Sequence, residues 1–434
     1  MNKKLKDILT SKNDNDFQQK MQDIRREHSM AEWLRNNKEI ADRVRGVVTE
    51  VAERGDEAVS EFTERFDNVT LTAADFRVSD DYLRQAHADI DQSLLADLRM
   101  AIDNVKEYQS SIFVGNNETE GIRYRPLNRI AVCIPGASAP LPSTLIMTAV
   151  PAMVAGVKEI VVITPPRFKG NINPVIAALC YELGIKEVYR IGGAQAVAAL
   201  AWGTDTIEKV DKIVGPGNDY VQMAKKEVFG LCDMDSFAGP SDVLIVADEN
   251  AKADWVAADM LSQAEHNPGA ALLVTSSSKL AGNVLRELET QCSELSRSDE
   301  TFECLIKYSA IIVVDDLDEM IDFANDFAAE HLEVQCGQAS MQVADRIQNA
   351  GAIFIGDYSP VAVGDYWAGP SHTLPTRQSS KYFSALTSNE FVKSSSIINY
   401  SKDMLMKNGK GVIAIAKTEG LDAHAASVEK RINN

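Results

Sequence analysis

Apolar residues recur every three or four positions, with charges between them, through 31–54 and 94–108, which predicts that roughly the first 110 residues are helical. The pattern then changes. Short apolar, β-branched runs at 129–134, 159–164, 187–191 and 212–214 alternate with amphipathic stretches at 143–157, 174–183, 194–201 and 221–229. After the turn-rich Ala238-Gly239-Pro240-Ser241, a second series of runs follows at 243–247, 271–275, 310–314 and 352–355. Helix candidates at 251–266, 279–288, 317–329 and 342–348 lie between these runs. Two successive blocks of this kind predict an α/β fold with two mainly parallel sheets, each covered by helices, joined near 238–241. From about residue 381 the chain is helical again, with candidates at 404–419 and 423–432. This tail carries too little apolar surface to fold alone and should pack on another domain or a neighbouring subunit.

Composition narrows the function classes. The 434 residues are 45% hydrophobic and 25% charged, ample for more than one core. Lys and Arg total 44 against 63 Asp and Glu, a formal charge of -19 that repels phosphate backbones and anionic membranes and argues against nucleic-acid binding. The N-terminal stretch turns polar after Leu9, unlike a secretory signal, and no segment has the ~20 apolar residues needed to cross a bilayer. Six scattered cysteines without a C-x-x-C pair read as reduced thiols in a cytoplasm-like compartment.

Four of the six histidines lie in the second half, each in a distinctive context. Gln263 and His266 are three apart at a helix end stopped by Asn267-Pro268-Gly269, so they point the same way. They could hold a metal or form a solvated helix end. Glu330 and His331 are adjacent at another helix end. They could share proton transfer, but only where the backbone leaves the helix, or they could be an exposed pair without function. Asp365 and His372 sit among the glycines and prolines of 364–376; Asp365 could ligate a metal or cap a turn, and His372 is undecided. In the tail, Gly420 breaks one helix, Asp422 could cap the next, and His424 falls in its first turn, a pattern ordinary helix punctuation also explains.

In the first block, the segments 134–144, 191–196 and 214–220 each join a strand end to a helix, where open parallel sheets place ligands and helix N-termini favour phosphates. None matches G-x-G-x-x-G, and simple chain reversal explains each as well.

Taken together, these segments resemble the histidinol dehydrogenase family along nearly the whole chain. The resemblance rests on PGASAPLPST at 135–144, GGAQAVAALAWGT at 192–204, VDKIVGPGND at 210–219 and AGPSDVLIVAD at 238–248. It continues through MLSQAEH at 260–266, AAEHLEV at 328–334, GDYWAGPSHTLPT at 364–376 and EGLDAH at 419–424. It implies a cytoplasmic, zinc-dependent, NAD-linked oxidation of L-histidinol through L-histidinal to L-histidine, with one Zn2+ per subunit. By the same resemblance, Gln263, His266, Asp365 and His424 match zinc ligands, and Glu330 and His331 match the catalytic acid–base pair. Ser241 and Glu419 match substrate contacts, shared with Gln263, His266, His331, Asp365 and His424. Gln195 and Asn218 match residues that contact NAD.

The resemblance further implies two incomplete Rossmann-like sheet domains and an intertwined homodimer. Residues 1–24 would form an N-terminal arm, 25–128 with 239–380 a zinc-bearing catalytic domain, and 129–238 the NAD-binding domain. Residues 381–434 would be a helical tail completing the partner's site. Three positions depart from the family pattern. Cys133 stands where a tyrosine often contacts the nucleotide, Ala137 replaces a frequent glycine, and Val361 occupies an often acidic position near Asp365. Two other readings stay open: a zinc and NAD dehydrogenase of another amino alcohol or polar diol, and a non-catalytic zinc-binding relative.

Overall fold

The computed structural model describes residues 5–116, 120–136, 139–266 and 268–433. They divide into two units. One comprises residues up to 113 together with 126–391, and the other 114–125 with 392–434.

Among the described residues, thirteen strands are numbered along the chain. They begin with β1 (Leu9–Ser11), β2 (Ile122–Pro126), β3 (Arg129–Cys133), β4 (Glu159–Ile163) and β5 (Glu187–Tyr189). Next come β6 (Lys212–Val214), β7 (Asp233–Met234), β8 (Asp242–Ala247) and β9 (Ala270–Thr275). The last are β10 (Ala310–Val313), β11 (His331–Gln335), β12 (Ala352–Ile355) and β13 (Val392–Ser396). The first unit holds a five-stranded sheet ordered β5-β4-β3-β6-β7 and a six-stranded sheet ordered β1-β10-β9-β8-β11-β12. Every pairing in both is parallel. The two expected blocks are present.

Parallel strands sandwiched between helix layers must be apolar on both faces. In β8, Val243, Ile245 and Ala247 enter one core, while Leu244 and Val246 enter the core on the opposite face. Segment 235–241 links β7 directly to β8. The carboxyl edge of the first sheet is therefore tied to the amino edge of the second.

The N-terminal packing differs from the expected allotment. Trp33, Val44, Val51, Phe62 and Phe76 share one core with Ala131, Val161 and Ala198, so the helices across 30–67 cover the first sheet rather than joining the second block. Within residues 5–24, β1 extends the second sheet beside β10, and Leu5, Ile8, Phe17 and Met21 are buried in its cores. Helical periodicity identifies an apolar stripe, not the surface it meets.

The second unit pairs β2 with β13 and packs the helices Lys402–Thr418 and Asp422–Ile432 together, with Gly420 (φ +71°) between them. In these helices only Gly409, Ala416 and Ala425 are buried, while Met404, Met406 and Ile415 are exposed.

Candidate functional site

The strand order of the first sheet reverses between β3 and β6, the point at which open α/β sheets bind ligands beyond their carboxyl ends. A cavity of about 1030 Å³ lies there. Cys133, Gln195 and Asn218, the three positions matched to nucleotide contacts, all line it. Gln195 lies in the first turn of the helix Gly193–Trp202 and is fully buried, yet among the described residues neither its amide oxygen nor its nitrogen has a hydrogen-bond partner. A buried amide is rarely left so, which points to a ligand that supplies the missing bonds. Asn218 caps the helix Asp219–Val228, its side chain accepting from the Val221 N–H at 3.2 Å. The Cys133 thiol is pushed up to about 12, by burial above all, and stays protonated. Ala137 lies outside the described residues.

A second cluster forms at the amino ends of β8 and β11. The helix Leu317–Phe327 ends at Ala328 in the left-handed conformation (φ +53°), and the chain turns into β11, which starts at His331. The pair expected at a helix end therefore stands at the head of a central strand. That removes the objection that neighbours on a helix diverge. Glu330 and Asp242 lock the two strand heads together. The Glu330 N–H donates to Asp242 Oδ1 at 2.8 Å, and the Asp242 N–H to Glu330 Oε2 at 3.1 Å. His331 Nδ1 lies 3.1 Å from the Asp242 carbonyl oxygen and 3.6 Å from Glu330 Oε2. Its Nε2 is 3.6 Å from Asp365 Oδ1, an ion-pair distance rather than a hydrogen bond.

Burial controls the acidities here. It raises Glu330 to about 8, against the opposing charge of His331, and Asp242 to about 6. Burial alone would lower His331, but the carboxylates of Glu330 and Asp365 outweigh it and raise the imidazole to about 9. Asp365 ends below its ordinary value because His331 overcomes the effect of burial.

Gln263 closes the helix Ala253–Ala264, and its Nε2 is 3.2 Å from His266 Nδ1, so these two do meet. Gly269 makes the following turn possible, since a Cβ there would stand 2.1 Å from the Gln263 carbonyl oxygen. Asn267 lies outside the described residues. His266 is exposed as a residue, yet desolvation by the protein around it lowers its pKa, with the charge of Asp365 acting against that effect. Asp365 belongs not to an irregular loop, as expected, but to the short helix Val361–Tyr366. The Val361 N–H of that helix donates to Glu333 Oε1 at 3.1 Å, while its side chain is buried in the second sheet's core. An apolar residue suits that position.

Among the described residues no group of three or more His, Cys, Asp or Glu stands ready to hold a metal. The expected ligand set does not need one in a single unit, because it draws on an amide and on His424. An amide, an imidazole and a carboxylate are suitable zinc donors. His331 Nε2 and His372 Nε2 are both buried without hydrogen-bond partners among the described residues, so polar capacity is left over beside Asp365. The donor set fits zinc. Ser241 immediately precedes β8, its carbonyl accepting from the Ala270 N–H at 3.0 Å. Glu419 ends the helix Lys402–Thr418 and His424 lies in the first turn of Asp422–Ile432; both belong to the second unit and are exposed.

Two members of this surrounding escaped notice in the sequence. Asp242 had a visible signal, a carboxylate heading an otherwise apolar run. Arg377, with Nη2 3.7 Å from Asp219 Oδ1 and its guanidinium 5.0 Å from the Trp33 ring, had none, because its partners are remote in sequence. His372, undecided from sequence, feels the charges of Asp365, His331 and His266 and so belongs with the cluster.

Known proteins share this arrangement of elements. The family model described as histidinol dehydrogenase matches residues 32–432. Histidinol dehydrogenases of Rhodopirellula baltica and Geobacillus kaustophilus are each 44% identical, covering 89% of this chain and 86% and 92% of their own lengths. That of Heliobacterium mobile is 46% identical over 87% of this chain and 90% of its own. The crystal structure of histidinol dehydrogenase from Elizabethkingia anophelis superposes with a TM-score of 0.87 at 34% identity, covering 98% of both chains. The chain belongs to the histidinol dehydrogenase family.

Proposed function

We propose that the protein oxidises L-histidinol through L-histidinal to L-histidine in two NAD-linked steps, as the last stage of histidine biosynthesis in the cytoplasm. The observation that carries this reading is the lock between Glu330 and Asp242, which holds His331 beside Asp365 at the head of the second sheet. Bound NAD would accept hydride at each oxidation, held in the first-block cavity by Gln195 and Asn218. Gln263, His266, Asp365 and His424 would hold one zinc ion, which when bound supplies Lewis-acid orientation of the substrate. In this reading the molecule is a homodimer, and the tail of one copy brings Glu419 and His424 to the site of the other.

His331 takes the hydroxyl proton as hydride leaves the carbinol carbon, giving the aldehyde. The neighbouring carboxylates favour the imidazolium that this transfer produces. Glu330, buried and able to exchange a proton near neutrality, assists the addition of water to the aldehyde. His331 releases its first proton to solvent and then takes one from the hydrate as the second hydride leaves, and the carboxylate forms. Ser241 and Glu419 hold the polar groups of the substrate. Retaining the aldehyde between steps protects it from free amines.

The test is stoichiometric. Limiting L-histidinol with excess NAD should yield two NADH per substrate, and a chelator should abolish turnover while leaving far-UV circular dichroism unchanged. Activity only with another amino alcohol, or none at full zinc occupancy, would reject the proposal.

A further inference from the structure

Beneath the first-block cavity lies a buried ion pair that the chemistry above does not use. Lys225, in the helix Asp219–Val228, and Asp235, just after β7, pair through Nζ and Oδ1, and both side chains are almost wholly removed from solvent. Neither lines the cavity. Both instead grip the backbone of one residue, Gly215. Asp235 Oδ2 accepts from the Gly215 N–H at 2.6 Å, and Lys225 Nζ donates to the Gly215 carbonyl oxygen at 3.0 Å.

Gly215 occupies a demanding position. Its φ is +107°, and a Cβ there would stand 2.5 Å from the Cys133 carbonyl oxygen. It opens the segment Gly215-Pro216-Gly217-Asn218, three of whose members line the cavity and whose last caps the helix that carries Lys225. The segment also crosses the point where the strand order reverses. A buried ion pair is a poor device for stability, because removing two charges from water offsets most of their attraction and a packed apolar pair does as well. What the charges provide, and apolar side chains cannot, is a grip on both backbone polar groups of Gly215, its N–H and its carbonyl.

We propose that Lys225 and Asp235 are positioning residues for the dinucleotide, setting the backbone at Gly215 so that Asn218 and the first amides of its helix face the cofactor. The inference rests on the reading that NAD occupies this cavity, and the experiment separates the two. NAD binding is measured by calorimetry, and KM and kcat by steady-state kinetics, for the wild type, Gln195→Ala, Lys225→Met, Asp235→Asn and the double variant Lys225→Met/Asp235→Leu. The single variants should weaken NAD binding and raise its KM about tenfold or more, as loss of a charge-assisted bond implies. The KM for L-histidinol and kcat at saturating NAD should change far less.

The double variant guards against misfolding. It should melt no lower than the single variants and still bind NAD weakly. A double variant with wild-type NAD affinity would overturn the inference, since the pair would then be structural only. Wild-type affinity in Gln195→Ala would instead remove NAD from the cavity, and the positioning role with it.

Discussion

Glu330 and Asp242 exchange hydrogen bonds with each other's backbone, yet burial raises the first to about 8 and the second only to about 6. The difference follows from surroundings: Asp242 accepts from the Glu330 N–H, whereas Glu330 also faces the charges of Asp242 and Asp365. A group near 8 can give and take a proton in neutral solution; one near 6 is largely a fixed carboxylate. Glu330→Gln keeps an acceptor for the Asp242 N–H and loses the exchangeable proton. It should slow aldehyde hydration by about a hundredfold or more and alcohol oxidation much less. Single-turnover measurement of the first and second NADH would show this; an equal fall in both would place Glu330 outside the hydration step. At this scale the sequence supplied identities but not acidities, because the charges around Glu330 come from residues 242 and 365.

The elements were legible where periodicity was clean. The runs that became β8, β9 and β10 are continuous and apolar, and they were read within a residue or so. β11 was not, because polar residues interrupt it. Leu332 and Val334 enter one core, but Glu333 is a buried acid bonded to Gln335 and to the Val361 N–H. A central strand carrying buried acids looks polar until its partners are known. The turn after the helix Ala253–Ala264 is a tighter case. Gly269→Ala would press a methyl group against the Gln263 carbonyl and displace the turn that brings Gln263 to His266. The expected cost is about 1–3 kcal/mol of stability, together with lower zinc content after purification. Thermal unfolding and elemental analysis measure these; a variant with undiminished metal would show that the turn does not shape the ligand pair.

Across the whole molecule, His28 reports on how remote segments close on one another. Its ring packs edge-on against Phe327, 5.5 Å between centroids, and burial, aided by the charge of Arg377, lowers it to about 4. Above the unfolded value near 6.5 both states carry a neutral ring, and this residue adds no pH dependence. As the pH falls below 6.5 the unfolded chain takes up the proton first, so stability is lost progressively until the folded state titrates near 4. Between pH 7 and 5 the loss from this one group is on the order of 2 kcal/mol. His28→Gln should flatten that part of the profile in urea unfolding; superimposable profiles would contradict it. The sequence alone determined the fold class, most strands and helices, and the residues able to carry the chemistry, because periodicity and side-chain type are local properties. Tertiary structure decided that the N-terminal helices cover the first sheet, that β11 heads with Glu330 and His331, and that Asp242 joins them. Those outcomes depend on which apolar surfaces meet and which buried charges face each other, and both are set by contacts between residues far apart in the chain.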